Sequence, residues 1–154
     1  MGCISAIDHP TRVEVQELLS RYCHYLDHDR GDCWAKLFTH DGVFEESDGL
    51  TLRGQAELGS LPSIIRRDGG GMLRHMISTI IVDRCDASRD LIVSAYGPVA
   101  DLRGDGGIST FYDYQIRINR VPAWRIARIV ATRVGGVPVL LPHAQAQAEG
   151  TLHS

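Results

Sequence analysis

The chain predicts an α+β domain, and three observations carry that expectation. Residues 11–26 repeat apolar side chains with a helical period; the stretch from Met72 to Val134 is rich in Val, Ile, Thr and Tyr over four long segments; and 154 residues with 44% apolar and 23% charged side chains suit one buried core. Helices first and a meander of strands after place the helices on one face of an antiparallel sheet. A strongly bent sheet packed against about three N-terminal helices makes a cone-shaped α+β barrel, whose interior can hold a small apolar ligand.

In chain order, residues 1–10 form a short extension, residues 11–137 the domain, and residues 138–154 a tail that turns to Ala, Gln and Gly and is expected to be partly disordered. Thr11 can cap a helix in which Val15, Leu18, Leu19, Tyr22, Cys23 and Leu26 share one face. After a break at Arg30-Gly31, Asp32 is placed to cap a short second helix, CWAKLF, that ends near His40-Asp41-Gly42. Val43–Glu46 and Leu50–Leu52 flank a Ser-Asp-Gly turn and predict a hairpin. GQAELGSLPSIIRR predicts a third helix, broken by Pro62 and closed by the glycines at 69–71. Four long strands follow: MLRHMISTIIV, DLIVSAYGPVADLR, ISTFYDYQIRIN and WRIARIVATRV.

Charge excludes some partners. A net charge of −3, with sixteen basic and nineteen acidic residues dispersed along the chain, offers no footprint for nucleic acid or an anionic membrane. No run approaches the ~18 apolar residues of a membrane span, and the N-terminus lacks a signal-peptide segment. Cys3, Cys23, Cys33 and Cys85 make no CxxC pair, so a reduced, cytoplasmic protein is expected. MGCIS matches a lipidation motif poorly, with serine at position 5.

In MLRHMISTIIV, alternation puts His75 on a face with Leu73, Ile77, Thr79 and Ile81. A buried imidazole needs partners for both nitrogens, and a facing carboxylate would fix its tautomer and make the other nitrogen a base; the plainer reading is a satisfied core histidine. Asp27 and Asp29, near the end of the first helix, are both candidate partners, and helical geometry alone does not choose between them. An acid at a helix C-terminus opposes the macrodipole and so needs another reason to be there. Tyr22, at the centre of the apolar stripe, is either a core aromatic or a neutral donor to a carbonyl or leaving hydroxyl. His24 and His28 have a helical metal-ligand spacing but project to the polar side without an HExxH glutamate, so no metal site is expected. A phosphate loop, a GxSxG elbow and a cysteine cluster are all missing from the sequence, which argues against nucleotide cofactors and serine-hydrolase chemistry.

The string RYCHYLDHDRGDCWAKLFTHDGVF, with LRGQAEL, LRHMIS and the late WRIAR, resembles the SnoaL-like branch of the nuclear transport factor 2-like superfamily over roughly residues 10–135. Within it, the pattern is similar to the lyases that use an Asp-His dyad: bile acid 7α-dehydratase, scytalone dehydratase and hexachlorocyclohexane dehydrochlorinase. The resemblance implies that Asp27, after Leu26, and His75, after Arg74, are the dyad, that Asp29 is a turn residue, and that Tyr22 matches the tyrosine before the aspartate of the bile acid enzyme. A second active-site histidine of scytalone dehydratase has no counterpart in ISTFYDYQIRIN, and the dehydrochlorinase lysine is replaced by tyrosine, so neither substrate is favoured.

The resemblance implies a cofactor-independent lyase of the dehydratase type, or an isomerase, acting on an apolar cyclic molecule such as a steroid, terpenoid or polyketide. His75 would be the general base, oriented by Asp27, with Tyr22 as hydrogen-bond donor. Trp34, Phe38, Tyr96, Tyr112, Tyr114 and Arg133 are the expected substrate contacts, subject to which aromatics of Tyr96, Phe111, Tyr112 and Tyr114 turn inward. The alternatives are a polyketide or epoxide cyclase or an epoxide hydrolase in the same pocket, or a non-catalytic role such as that of dioxygenase small subunits. A homo-oligomer, dimer or trimer, is expected because the sheet of such cones usually needs a partner.

Overall fold

A computed structural model describes residues 7–85 and 87–139. The elements run α1 (His9–Asp27), α2 (Gly31–Ala35), β1 (Phe38–Glu46), β2 (Leu50–Arg53), α3 (Gly54–Gly69), β3 (Leu73–His75), β4 (Ser78–Arg84), β5 (Leu91–Asp101), β6 (Ile108–Arg120) and β7 (Trp124–Gly136). The strands form one curled sheet in the order β2-β1-β7-β6-β5-β3, with β4 also on β5. Three helices close its concave side, which is the cone-shaped α+β architecture expected. The sheet is mixed rather than purely antiparallel, because β1 runs parallel to β7. A parallel pair needs a long crossover, and here all the intervening chain supplies it.

Helix α1 begins earlier than Thr11. Asp8 is the N-cap, its carboxylate accepting from the Thr11 N–H at 2.8 Å, and Pro10 occupies the first turn, where a missing N–H costs nothing. Asp32 likewise lies inside α2, whose N-cap Arg30 makes no side-chain cap bond. Helix α2 stops at Ala35, so Phe38 already belongs to β1 and the hairpin is longer than expected. Helix α3 continues through Pro62, which is buried, and ends at Gly70 in the left-handed conformation (φ 61°).

The segment MLRHMISTIIV is two strands, not one. The break at Met76-Ile77 and the left-handed Thr79 (φ 53°) bend the chain, and the register on β5 shifts between Ser78 and Ile81. Alternation therefore holds for Leu73 and His75, which are buried, and fails beyond them, where Val82 faces the core and Ile81 is exposed. The expectations for the segment before residue 7 and for the tail after residue 139 lie outside the described residues.

The core is the inner face of the sheet against the helices. Tyr22, Trp34, Phe38 and Phe44 form an aromatic cluster with ring centroids 5.2 Å apart for Tyr22–Trp34, 4.8 Å for Trp34–Phe38 and 6.1 Å for Trp34–Phe44. This cluster fixes the last turns of α1 against the base of the cone.

Candidate active site

Asp27 is the last residue of α1 and His75 the last of β3, and the two ends meet in the interior. Asp27 Oδ1 lies 2.6 Å from His75 Nδ1, and its Oδ2 accepts the His75 backbone N–H at 2.9 Å. Both side chains are about 95% buried. Two donors thus hold a carboxylate where the helix dipole would disfavour it, which is the reason for an acid at that position. With Nδ1 engaged by Asp27, Nε2 is the second ring nitrogen of the imidazole. Asp29 adopts φ 57° in the turn after α1, as a turn residue should.

His75 lines an interior cavity together with Tyr22, Glu46, Tyr112, Tyr114 and Val139, over a floor of aliphatic side chains. The cavity measures about 30 Å³, room for a water molecule or two. Its walls follow from sheet register. Glu46 pairs with Ala131 on β7, and Ala131 with Tyr114 on β6, so a small side chain separates an acid from a phenol in one row. On β5, Gly97 lies beneath the Tyr114 ring: a Cβ there would sit 2.0 Å from the ring. The tyrosines are neutral donors, since burial raises Tyr22, Tyr112 and Tyr114 well above the usual phenol range. Burial also pushes the Cys23 thiol up to about 12, which makes it a poor nucleophile.

Val139, just after β7, is also among the lining residues. The preceding segment is strapped to β6 by the Val137 N–H on Ser109 O at 3.0 Å and by the Thr110 hydroxyl on Val137 O. On the outer side of the dyad, a surface recess of about 330 Å³ is lined by Cys23, His24, Asp27, His28, Arg74 and His75, among others. The Asp27–His75 pair therefore lies between an apolar interior chamber and this surface recess.

Of the residues expected from sequence, Asp27, His75, Tyr22, Tyr112 and Tyr114 come together. The remaining expected substrate contacts are placed elsewhere. Tyr96 points out of the cone, 49% exposed, beside Phe111, because the strand alternation that turns Tyr112 and Tyr114 inward turns these two outward. Trp34 and Phe38 are buried in the aromatic cluster behind Tyr22 and do not line the cavity. Arg133 forms a two-pronged ion pair with Asp48 (2.7 and 2.9 Å) at the rim, holding the β1–β2 turn. His28 Nδ1 bonds the His24 carbonyl at 2.8 Å, and among the described residues no group of three His, Cys, Asp or Glu could hold a metal ion.

Glu46 is the wall residue the sequence reading missed. Period-2 alternation through VFEE, with Phe44 inward, already implied an inward acid at 46.

Residues 9–130 match the model of the SnoaL-like domain. The chain belongs to that family. Solved structures share the fold of this SnoaL-like domain. Aln2 from a Streptomyces species is 20% identical with a TM-score of 0.75, over 84% of this chain and 94% of that one. ActVI-ORFA from Streptomyces coelicolor is 15% identical with a TM-score of 0.70, over 81% and 98%. A protein from Catenulispora acidiphila in complex with S-DNPA is 19% identical with a TM-score of 0.67, over 82% and 95%. At these identities the likeness is one of fold. No curated protein matches the chain. Among the described residues, no helix of this SnoaL-like domain is long and apolar enough to cross a membrane.

Proposed function

We propose that this SnoaL-like protein is a lyase of the dehydratase type, or an isomerase, that acts on a neutral, apolar cyclic molecule without a cofactor. The observation that carries the reading is the buried Asp27–His75 pair, whose histidine lines an apolar chamber. His75 Nε2 removes a proton from a carbon made acidic by a neighbouring carbonyl. Asp27 keeps the imidazole in one tautomer and stabilises the imidazolium that forms. Tyr22 donates a hydrogen bond to the carbonyl oxygen as charge develops on it. Membership in a family that includes polyketide cyclases, and the complex of one structural neighbour with S-DNPA, support a small-molecule ligand.

Cyclisation is the second reading, because the same base and donor can drive an intramolecular carbon–carbon closure; retention of all the atoms of the substrate in the product separates it from elimination. A purely binding role loses its main support, which would have been a His75 without a carboxylate neighbour. The chamber must widen to admit any ring, so side chains that line it move when substrate binds. Exposed Ile81, Tyr96 and Ile108 on the outer sheet face support a homodimer or trimer, which light scattering would measure.

The test is α-proton exchange. Neutral cyclic ketones such as 2-decalone are incubated with the protein in D2O and followed by NMR. Exchange that is enhanced by the wild type and lost in folded His75→Ala supports the dyad; equal exchange by both proteins refutes it.

A further inference from the structure

Glu46 is an acid in a place that gives it little reason to be ionised. It is the last residue of β1, only 8% exposed, and it lines the same chamber as His75. Its Oε1 is buried and accepts no hydrogen bond. The groups around it come from four directions. Tyr112 and Tyr114 approach from β6, and each feels the charge of Glu46. Asp48 follows it in the turn, and Arg133 on β7 is already engaged by Asp48 and by the Gly136 carbonyl. Tyr22 and His75 line the chamber from α1 and β3, with Asp27 hydrogen-bonded to the imidazole. Tyr114 feels the charge of both Asp27 and Glu46. Burial, reinforced by the neighbouring Asp48, raises Glu46 from its ordinary 4.5 to about 7.

A buried oxygen without a partner in an apolar chamber is costly unless the chamber's occupant supplies the partner. Arg133 cannot serve Glu46 fully, since its guanidinium is spent on Asp48. A substrate hydroxyl can.

We propose that Glu46 is the general acid of this site: it protonates the departing hydroxyl while the Asp27–His75 pair removes the carbon-bound proton. This rests on the dyad reading above and deepens it, because it selects elimination and names the substrate class, a neutral ring ketone with a hydroxyl β to the carbonyl. In the step, the C–H electron pair becomes the new C=C bond as His75 Nε2 takes the proton. The C–O bond breaks toward oxygen, and Glu46 delivers its proton there, so water leaves. The site then holds an imidazolium and a Glu46 carboxylate. Glu46 recovers a proton from solvent by way of Asp48, whose side chain reaches the surface, and His75 releases one, so that substrate yields only enone and water. The class excludes carboxylates and phosphates: among the described residues no Lys or Arg lines the chamber, and Arg133 at the rim is held by Asp48.

The experiment has a substrate-free arm and a kinetic arm. Protein with ¹³C-labelled glutamate carboxyls is titrated by NMR, with Glu46→Gln identifying the resonance. The kinetic arm compares 4-hydroxy-2-decalone with 4-acetoxy-2-decalone, whose acetate departs without a proton donor. The expected result is a Glu46 resonance titrating near neutrality and a fall in kcat of about 100-fold or more for E46Q on the hydroxy ketone, against about fivefold or less on the acetate. Glu46→Asp is expected to restore part of the lost rate, and circular dichroism checks each fold. Titration in the ordinary carboxylate range overturns the proposal, as does equal slowing of both probes. His75→Ala separates the two readings. Turnover that survives in H75A yet still needs Glu46 refutes the dyad and upholds the acid, whereas loss in H75A with an indifferent E46Q does the reverse.

Discussion

Asp27 and His75 meet twice, once through the imidazole and once through the backbone N–H of His75, so one carboxylate sets both the tautomer of the ring and the position of the strand that carries it. The end of α1 is thereby tied to the end of β3 across 48 residues of sequence. Fold and proposed chemistry share this contact. Asp27→Ala leaves two buried donors without partners and is expected to cost about 2–5 kcal/mol in chemical denaturation. Asp27→Asn keeps an acceptor for one donor and is expected to fold, with turnover falling about 10²–10⁴-fold. Wild-type stability in Asp27→Ala would show that the pair contributes little to the fold.

Tyr22→Phe keeps the ring against Trp34 and removes one hydroxyl from the chamber. Its fold is expected to persist, with kcat/KM reduced by an amount equivalent to about 1–3 kcal/mol. Steady-state kinetics beside the dyad variants checks this, and a loss as complete as that of His75→Ala would move Tyr22 from substrate orientation into the essential chemistry.

Glu46 makes the stability of the protein depend on pH in an unusual direction for an acid. Its folded value of about 7 exceeds the ordinary 4.5, so the folded state holds a proton that the unfolded chain has released. The stabilisation is complete below about 4.5 and is lost as pH rises through 7. Relative to the wild type, Glu46→Gln is expected to gain stability steadily over that window in urea titrations. A constant difference from about pH 4 to 8 would show that Glu46 titrates over the same range in the folded and unfolded states.

Gly97→Ala drives a methyl group into the Tyr114 ring. The expected loss is about 1–3 kcal/mol, with a displaced ring and a smaller chamber. Thermal unfolding measures the first effect and ligand affinity the second. An unchanged melting temperature would mean that β5 and β6 separate at low cost.

Val139 lines a chamber with room for only a water molecule or two, so a ring-sized ligand needs space that this side chain helps to fill. Val139→Ala is expected to tighten binding of the neutral probe N-phenyl-1-naphthylamine by roughly 3–10-fold, read from its fluorescence. Equal affinity in both proteins would place the ligand path elsewhere, with the recess outside the dyad the next candidate.

The sequence by itself determined the helical face that carries Tyr22 and Leu26, the strand-rich second half, the turn at Asp29, and the resemblance that paired Asp27 with His75. These are local or motif-borne properties: an apolar period of about 3.6 residues fixes which side of α1 is buried whatever it packs against. Tertiary structure alone decided the rest. MLRHMISTIIV bends at Met76-Ile77 because β3 and β4 must both follow the curl of β5, which no count of alternating residues reveals. Tyr112 and Tyr114 point inward, and Tyr96 outward, because inter-strand register assigns the faces, and a slip of one residue would reverse them. Glu46 became part of the site only when the parallel pairing of β1 with β7 laid it beside Ala131 and Tyr114, a contact between strands far apart in the chain that depends on closure of the whole sheet.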